Sequence, residues 1–211
     1  MSRNRTLGCL FEILETLLLT LIVFIAIQTF VAQPFQIEQQ SMENTLMPSQ
    51  YVLVDKLSPH FDGYHRGDIV VFNPPPSWVK DPSGAPYIKR VIGMAGDTVD
   101  IHDGRVFVNG TALDEPYVFE GQPTEPADAT KHSWTLTTGQ LFVLGDHRAD
   151  SQDSRVFGAI DSSAVIGRAW LRYWPLDQFG LIRAAATASP AATPSPAVAS
   201  PSRLASPSPT K

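Results

Sequence analysis

The chain has 211 residues, 43% of them hydrophobic, and a single cysteine, Cys9. That is enough apolar material for a real core, which excludes whole-chain disorder, and one thiol excludes both an internal disulfide and a cysteine-built zinc cage. Sixteen Lys and Arg against 21 Asp and Glu leave a net charge of −5, the wrong sign for a partner such as nucleic acid.

Thr16 to Gln33 carries no charge. Those eighteen residues, with Glu12 and Glu15 just before them, approach the ~20 a helix needs to cross the hydrocarbon core, and the span is expected at 14–33. Arg3 and Arg5 precede it, so the positive-inside rule places residues 1–13 in the cytoplasm and everything after Pro34 outside. The alternative is a cleaved signal peptide. Its apolar region is normally shorter, and no clean Ala-x-Ala follows here, so a retained anchor is the favoured reading.

Beyond Gln36 the period of the apolar residues changes to two. Tyr51–Asp55, Asp68–Phe72, Tyr87–Ile92, Thr98–Ile101, Arg105–Val108, Gln140–Leu144 and Val165–Leu171 are short, β-branched and bounded by Gly, Pro, Asp or Asn. They predict an all-β body, sandwich- or barrel-like, over 34–183, with a small insertion lobe near 105–140. Asn109-Gly110 predicts a hairpin turn. The same residues with Thr111 spell a glycosylation sequon, but the turn already accounts for them. Phe119–Ser133 is polar and proline-containing, an irregular insertion. Residues 184–211 are almost wholly Ala, Pro, Ser and Thr, and predict a disordered tail.

For chemistry, the histidines offer little: His60, His65, His102, His132 and His147 sit in no G-x-S-x-G or H-x-x-x-H context. Ser41 lies ten residues past Val31, within about 35 Å of the bilayer even if fully extended. Lysine is scarce, and Lys89 falls inside a predicted central strand, where alternation puts it on one face with Tyr87 and Val91. A poorly hydrated lysine loses affinity for its proton and can serve as a general base. The plainer alternatives are that it snorkels to water or pairs with an acid.

Three blocks in order, Ser41-Met42, Tyr87-Ile-Lys-Arg-Val-Ile-Gly-Met-Ala-Gly-Asp97 and Gly145-Asp-His-Arg-Ala-Asp-Ser-Gln-Asp-Ser-Arg155, resemble the boxes of the bacterial type I signal peptidases. The resemblance runs from about Leu17 to Leu176. It implies an antiparallel β-sheet body behind one transmembrane helix, with Ser41 as nucleophile and Lys89 as general base. Ser151 is implied to orient the lysine amine, with Asp153 and Arg155 as a supporting ion pair and Asp146 and Arg148 in the same box. It implies shallow apolar pockets lined by Ile37, Met42, Leu46, Tyr87 and Ile88 that admit small residues at the first and third positions before the cut. The substrates would be secretory preproteins, bound as an added strand at the membrane surface; the translocation machinery is a further expected partner, and no cofactor or metal is called for.

Departures from the family pattern mark where the site differs. Glu38-Gln39-Gln40 stands where relatives often carry Pro-Ser-Gly. Gln39 replaces a serine that helps hold the oxyanion in some of them, so the donors are expected to be the Gln39 amide or the Ser41 backbone N–H. His147 replaces an Asn and Ala95 a Pro, neither expected to touch the dyad. Arg66-Gly-Asp68 spells an adhesion tripeptide but is expected to be a turn into a buried strand. Trp170 and Trp174 are expected either in the core or on a membrane-facing surface. Competing classes are a self-cleaving Ser/Lys repressor-type protease and an anchored β-domain that binds without catalysis.

Overall fold

The computed structural model describes residues 3–78 and 84–184. The expectation for the Pro/Ala/Ser/Thr tail falls on 185–211, outside the described residues. Helix α1 (Arg3–Phe30) is unbroken because Leu, Ile, Phe and Ala dominate it and no proline interrupts it. Phe11–Phe30 is the one helix among the described residues long and apolar enough to cross a membrane, and its large side chains are exposed.

The helix ends sooner than the apolar run. Pro34 cannot continue it, and Ala32–Gln36 instead forms strand β1. Ala32–Gln36 pairs antiparallel with β2 (Tyr51–Asp55), Ala32 opposite Asp55 and Gln36 opposite Tyr51. Pro34 is tolerated because β1 lies at the sheet edge. Ala32 and Gln33, expected to close the span, therefore belong to the sheet.

The remaining strands are β3 (Ile69–Phe72), β4 (Tyr87–Gly93), β5 (Thr98–His102), β6 (Arg105–Val108), β7 (Thr111–Ala112), β8 (Ser133–Thr135), β9 (Gln140–Leu144), β10 (Ile160–Asp161), β11 (Val165–Trp174) and β12 (Gly180–Leu181). They form two antiparallel sheets. One runs β1-β2-β11-β3-β4-β9-β10 with β12 added to β11, and the other runs β7-β6-β5-β8. The fold is thus all-β and antiparallel behind one apolar helix. Each of the seven segments marked in the sequence contains a strand; the short β1, β8, β10 and β12 were not anticipated.

β4 is the central element: all seven of its residues are buried. Its Tyr87 and Val91 join Val70, Phe72, Trp78 and Val143 in one cluster, and its Ile88 joins Ile37, Met42, Leu46 and Val54 in another. Gly93 ends it where the sheets meet. A Cβ there would come within 2.5 Å of Val99 and 2.7 Å of Leu136, so only glycine lets β5 approach. A third cluster, Ile101, Val106, Trp134 and Phe142 among them, fills the second sheet.

Asn109 and Gly110 take φ of 52° and 76°, the left-handed pair that a tight hairpin demands. The Asn109 amide donates to Asp97 and its carbonyl accepts from the Thr98 N–H, so the sequon asparagine is committed to the turn. Arg66 donates to the Ile92 carbonyl and to Asp97, while Asp68 is buried, which removes the adhesion reading of Arg66-Gly-Asp68. Trp170 and Trp174 are not core residues; they are 39% and 50% exposed, near exposed Leu176, Phe179 and Leu181.

Candidate active site

Ser41 follows β1 on a short loop. The base of that loop is pinned by two backbone bonds, Ile37 N–H to Gln50 O and Ser49 N–H to Ile37 O, both 2.8 Å. The chain then coils on itself: Glu43 N–H donates to Gln40 O, Leu46 N–H donates to Met42 O, and Asn44 takes φ 82°. This closure turns Met42 and Leu46 inward, where both are fully buried. Ser41, at the head of the turn, is left with its hydroxyl against β4.

Lys89 reaches it from the central strand. Its Nζ and the Ser41 Oγ share a hydrogen bond of 2.5 Å, and the amine lies 5.7 Å from the centre of the Tyr87 ring, the same-face neighbour that alternation predicts. Lys89 is 1% exposed. It does not snorkel, and among the described residues it forms no ion pair and bonds to a hydroxyl. Burial pulls its pKa down from 10.5 to about 8, against the opposing pull of Asp153 and Asp146 and with the help of Arg155.

The loop Gly145–Arg155 encloses the pair. The His147 N–H donates to the Ser41 carbonyl at 3.1 Å. A Cβ on Gly145 would land on the Ser151 hydroxyl and the Ser41 carbonyl oxygen, so this close approach excludes any other residue. Asp153 is fully buried and accepts from the Gly145 N–H (3.1 Å), Ser151 Oγ (2.7 Å) and Arg155 Nε and Nη2 (both 2.9 Å). Burial alone would raise the Asp153 pKa, but the Arg155 guanidinium and these donors hold it below the usual carboxylate range. The Ser151 hydroxyl donates to Asp153, and its oxygen keeps lone pairs with which to accept from an amine; among the described residues no Ser151–Lys89 bond is present. Through Asp153, whose charge favours the Lys89 ammonium, Ser151 is tied to the lysine environment.

Asp146 and Arg148 do not touch the dyad. Asp146 is forked by Arg90 (Nε to Oδ1 2.8 Å, Nη2 to Oδ2 2.6 Å) and also accepts from the Thr45 hydroxyl, which ties the nucleophile turn to β4. Arg148 donates to the Gly145 carbonyl, to Glu115 and to Thr124. Arg90, which stacks 4.0 Å over the Tyr117 ring, was not singled out from the sequence. Its partner lies 56 residues away, and only the pairing of β4 with β9 brings them together.

A groove of about 200 Å³ is bounded by Pro34–Gln39, the segment that leads to Ser41, on one side and by Ala85, Pro86, Ile88 and Val71 on the other. Of the residues expected to form the pockets, Ile37 and Ile88 line it, and Gln39, the expected oxyanion donor, stands in its wall. Met42, Leu46 and Tyr87 do not: the first two are packed beneath the turn, and Tyr87 sits against Phe72 and Trp78. Among the described residues, no protein acceptor takes the Ser41 backbone N–H. Of the histidines, His60, His65, His102 and His132 are exposed, whereas His147 is part-buried at the site.

Comparison with known proteins bears on this arrangement. A family model described as signal peptidase, peptidase S26, matches residues 10–174. Signal peptidase I of Leptolyngbya laminosa is 37% identical over 173 residues, 81% of this chain and 83% of that protein. Probable signal peptidase I-2 of Synechocystis is 36% identical over 189 residues, covering 85% and 82%, and signal peptidase IB of Staphylococcus aureus (strain COL) is 31% identical over 184, covering 80% and 93%. A crystal structure of a signal peptidase I from Enterococcus faecalis aligns with 31% identity and a TM-score of 0.39, over 50% of this chain and 95% of that one. The chain belongs to the signal peptidase family, peptidase S26.

Proposed function

We propose that the chain is a membrane-bound serine endopeptidase that removes N-terminal signal peptides from exported preproteins, with Ser41 as nucleophile and Lys89 as general base. The observation that carries this reading is the buried 2.5 Å contact between Ser41 Oγ and an amine whose pKa has fallen to about 8. A serine hydroxyl is a weak nucleophile until a neighbouring base takes its proton, and an amine near neutrality can do so where an ordinary lysine cannot.

Neutral Lys89 accepts the hydroxyl proton as Ser41 Oγ attacks the scissile carbonyl. The resulting ammonium gives a proton to the leaving amine, which frees the new N-terminus and leaves an ester on Ser41. Lys89 then takes a proton from water, whose oxygen attacks the ester, and the proton returns to Ser41 as the signal peptide leaves. The free Ser41 N–H is the backbone donor for the oxyanion, with the Gln39 amide at the groove wall as the second. Such donors contribute about 10²–10³-fold each.

The groove supports an extended substrate. Its walls are the edge-strand segment Pro34–Gln39 and the entry to β4, and the open edge of β1 can take a peptide as an added strand. Ile37, Ile88, Phe35 and Pro86 narrow it, which favours Ala-sized residues at the first and third positions before the cut. The exposed helix Phe11–Phe30 anchors the chain with its N-terminus in the cytoplasm, and the exposed Trp170, Trp174, Phe179 and Leu181 rest at the outer lipid interface.

Cleavage of a preprotein ending its signal in Ala-x-Ala tests the reading. Wild type cleaves it, and Ser41→Ala and Lys89→Ala do not. Normal processing by both variants would overturn the dyad and favour a binding domain.

A further inference from the structure

Glu43 and His147 join the nucleophile turn to the loop that carries the supporting ion pair. His147 Nδ1 lies 2.9 Å from Glu43 Oε2, with both side chains about 85% buried. The carboxylate partner makes Nδ1 the protonated ring nitrogen. The ring also packs on Phe119, centroids 4.4 Å apart and planes 32° from parallel, and the Phe119 N–H donates to the Asp146 carbonyl. One residue thus holds the turn twice: its backbone N–H on the Ser41 carbonyl and its ring on Glu43, two residues along. Neither Glu43 nor His147 lines the groove.

We propose that the Glu43–His147 pair is a positioning clamp that fixes the Ser41 hydroxyl against the Lys89 amine; the proposal rests on the Ser41/Lys89 reading above. The turn has few other ties in its first half. Thr45 is held by Asp146 and Asn44 by the Tyr117 carbonyl, whereas the Ser41 carbonyl and the Glu43 side chain are both tied to the 145–155 loop through His147. Without the ring contact, the head of the turn keeps only the backbone bond from the His147 N–H to the Ser41 carbonyl on that loop, and its position against β4 is less tightly set. Misplacement of a nucleophile by about 1 Å can cost on the order of 10²-fold in rate. Because the groove is built from other residues, the loss belongs to kcat and not to KM.

The test is a double-mutant cycle on the full chain in detergent or vesicles, with preprotein cleavage resolved into kcat and KM. Glu43→Ala and His147→Ala are each expected to lower kcat about ten- to a hundredfold with KM little changed. The double variant should fall no further than either single one. Glu43→Gln, whose amide oxygen still accepts from Nδ1–H, should recover most of what Glu43→Ala loses. Losses that multiply, losses carried by KM, or a Gln variant as slow as the Ala variant would overturn the clamp. If His147→Ala does not fold, the Glu43→Ala and Glu43→Gln pair decides alone, and an unchanged kcat in Glu43→Ala overturns it. Ser41→Ala in the same assay separates the two readings: cleavage by that variant sinks the nucleophile assignment, whereas its inactivity beside multiplying losses sinks the clamp only.

Discussion

Lys89 and Arg90 are consecutive residues of one strand, each 1% exposed, and the fold treats them oppositely. Arg90 meets a carboxylate in fork geometry, a backbone carbonyl and an aromatic face, so its charge is matched on every side. Lys89 meets a hydroxyl, with its nearest carboxylates acting only at a distance. A buried guanidinium cannot shed its proton and must be paired; a buried amine left unpaired gives its proton up. The same burial therefore makes one residue a strut and, on the proposed reading, the other a base, and what decides is the partner that the opposite face of β4 supplies.

The sharpest way to break that contrast is to deny Lys89 its neutral form. Lys89→Arg keeps a cation in place but cannot deprotonate, and it should be as inactive as Lys89→Ala and Ser41→Ala, each losing at least about 10³-fold in kcat. Residual cleavage by Lys89→Arg near the wild-type rate would show that the proton is taken elsewhere. On the other face, Arg90→Ala strands the fully buried Asp146, and about 3–5 kcal/mol of stability should be lost in urea unfolding. A cost under about 1 kcal/mol would mean that Arg90 is no strut.

The pH profile reads the amine directly. kcat/KM should rise through a midpoint near 8, falling about tenfold per unit below it, since only the deprotonated Lys89 is active. The sign for stability follows from the same shift. Between pH 8 and 10.5 the unfolded lysine holds a proton that the folded one has released, so stability should increase with pH across that window. Asp153→Asn removes a negative charge that favours the ammonium and leaves Arg155, which opposes it, so the activity limb should move to lower pH. A limb moving to higher pH would reassign the titration. The smallest effect is expected at Trp134, whose buried indole N–H has no partner among the described residues. That group is neutral, unlike an unpaired charge, and Trp134→Phe should change stability by no more than about 1 kcal/mol.

Ser41 and Lys89 were singled out by the resemblance of three ordered blocks to a family's boxes; alone, a lysine in an apolar β run and a Ser-Met beyond an uncharged stretch have plainer readings. The strands were legible from their local period-two pattern. What escaped was set by contacts distant in the chain. Arg90 looked like one more strand residue until β9 brought Asp146 beside it, and His147 was set aside as a substitution away from the dyad, because Glu43 lies 104 residues earlier. Met42 and Leu46 were taken for pocket walls from the family comparison; the coil of the turn, sealed by the Leu46 N–H on Met42 O, sends both inward. Ser151 was expected to orient the lysine amine; its hydroxyl donates to Asp153, a partner that spacing alone does not single out.

Only Val31 stands between the end of α1 and the start of β1, and it bonds both ways, its N–H to Ile27 O and its carbonyl to the Lys56 N–H. There is no slack for the body to swing like a weight on a leash. On the proposed reading, Ser41 is held at a set height above the end of the helix, so the depth at which a preprotein would be cut is gauged by the protein's own skeleton, and a few flexible residues spliced in at Val31 should blur that gauge while leaving the chemistry intact.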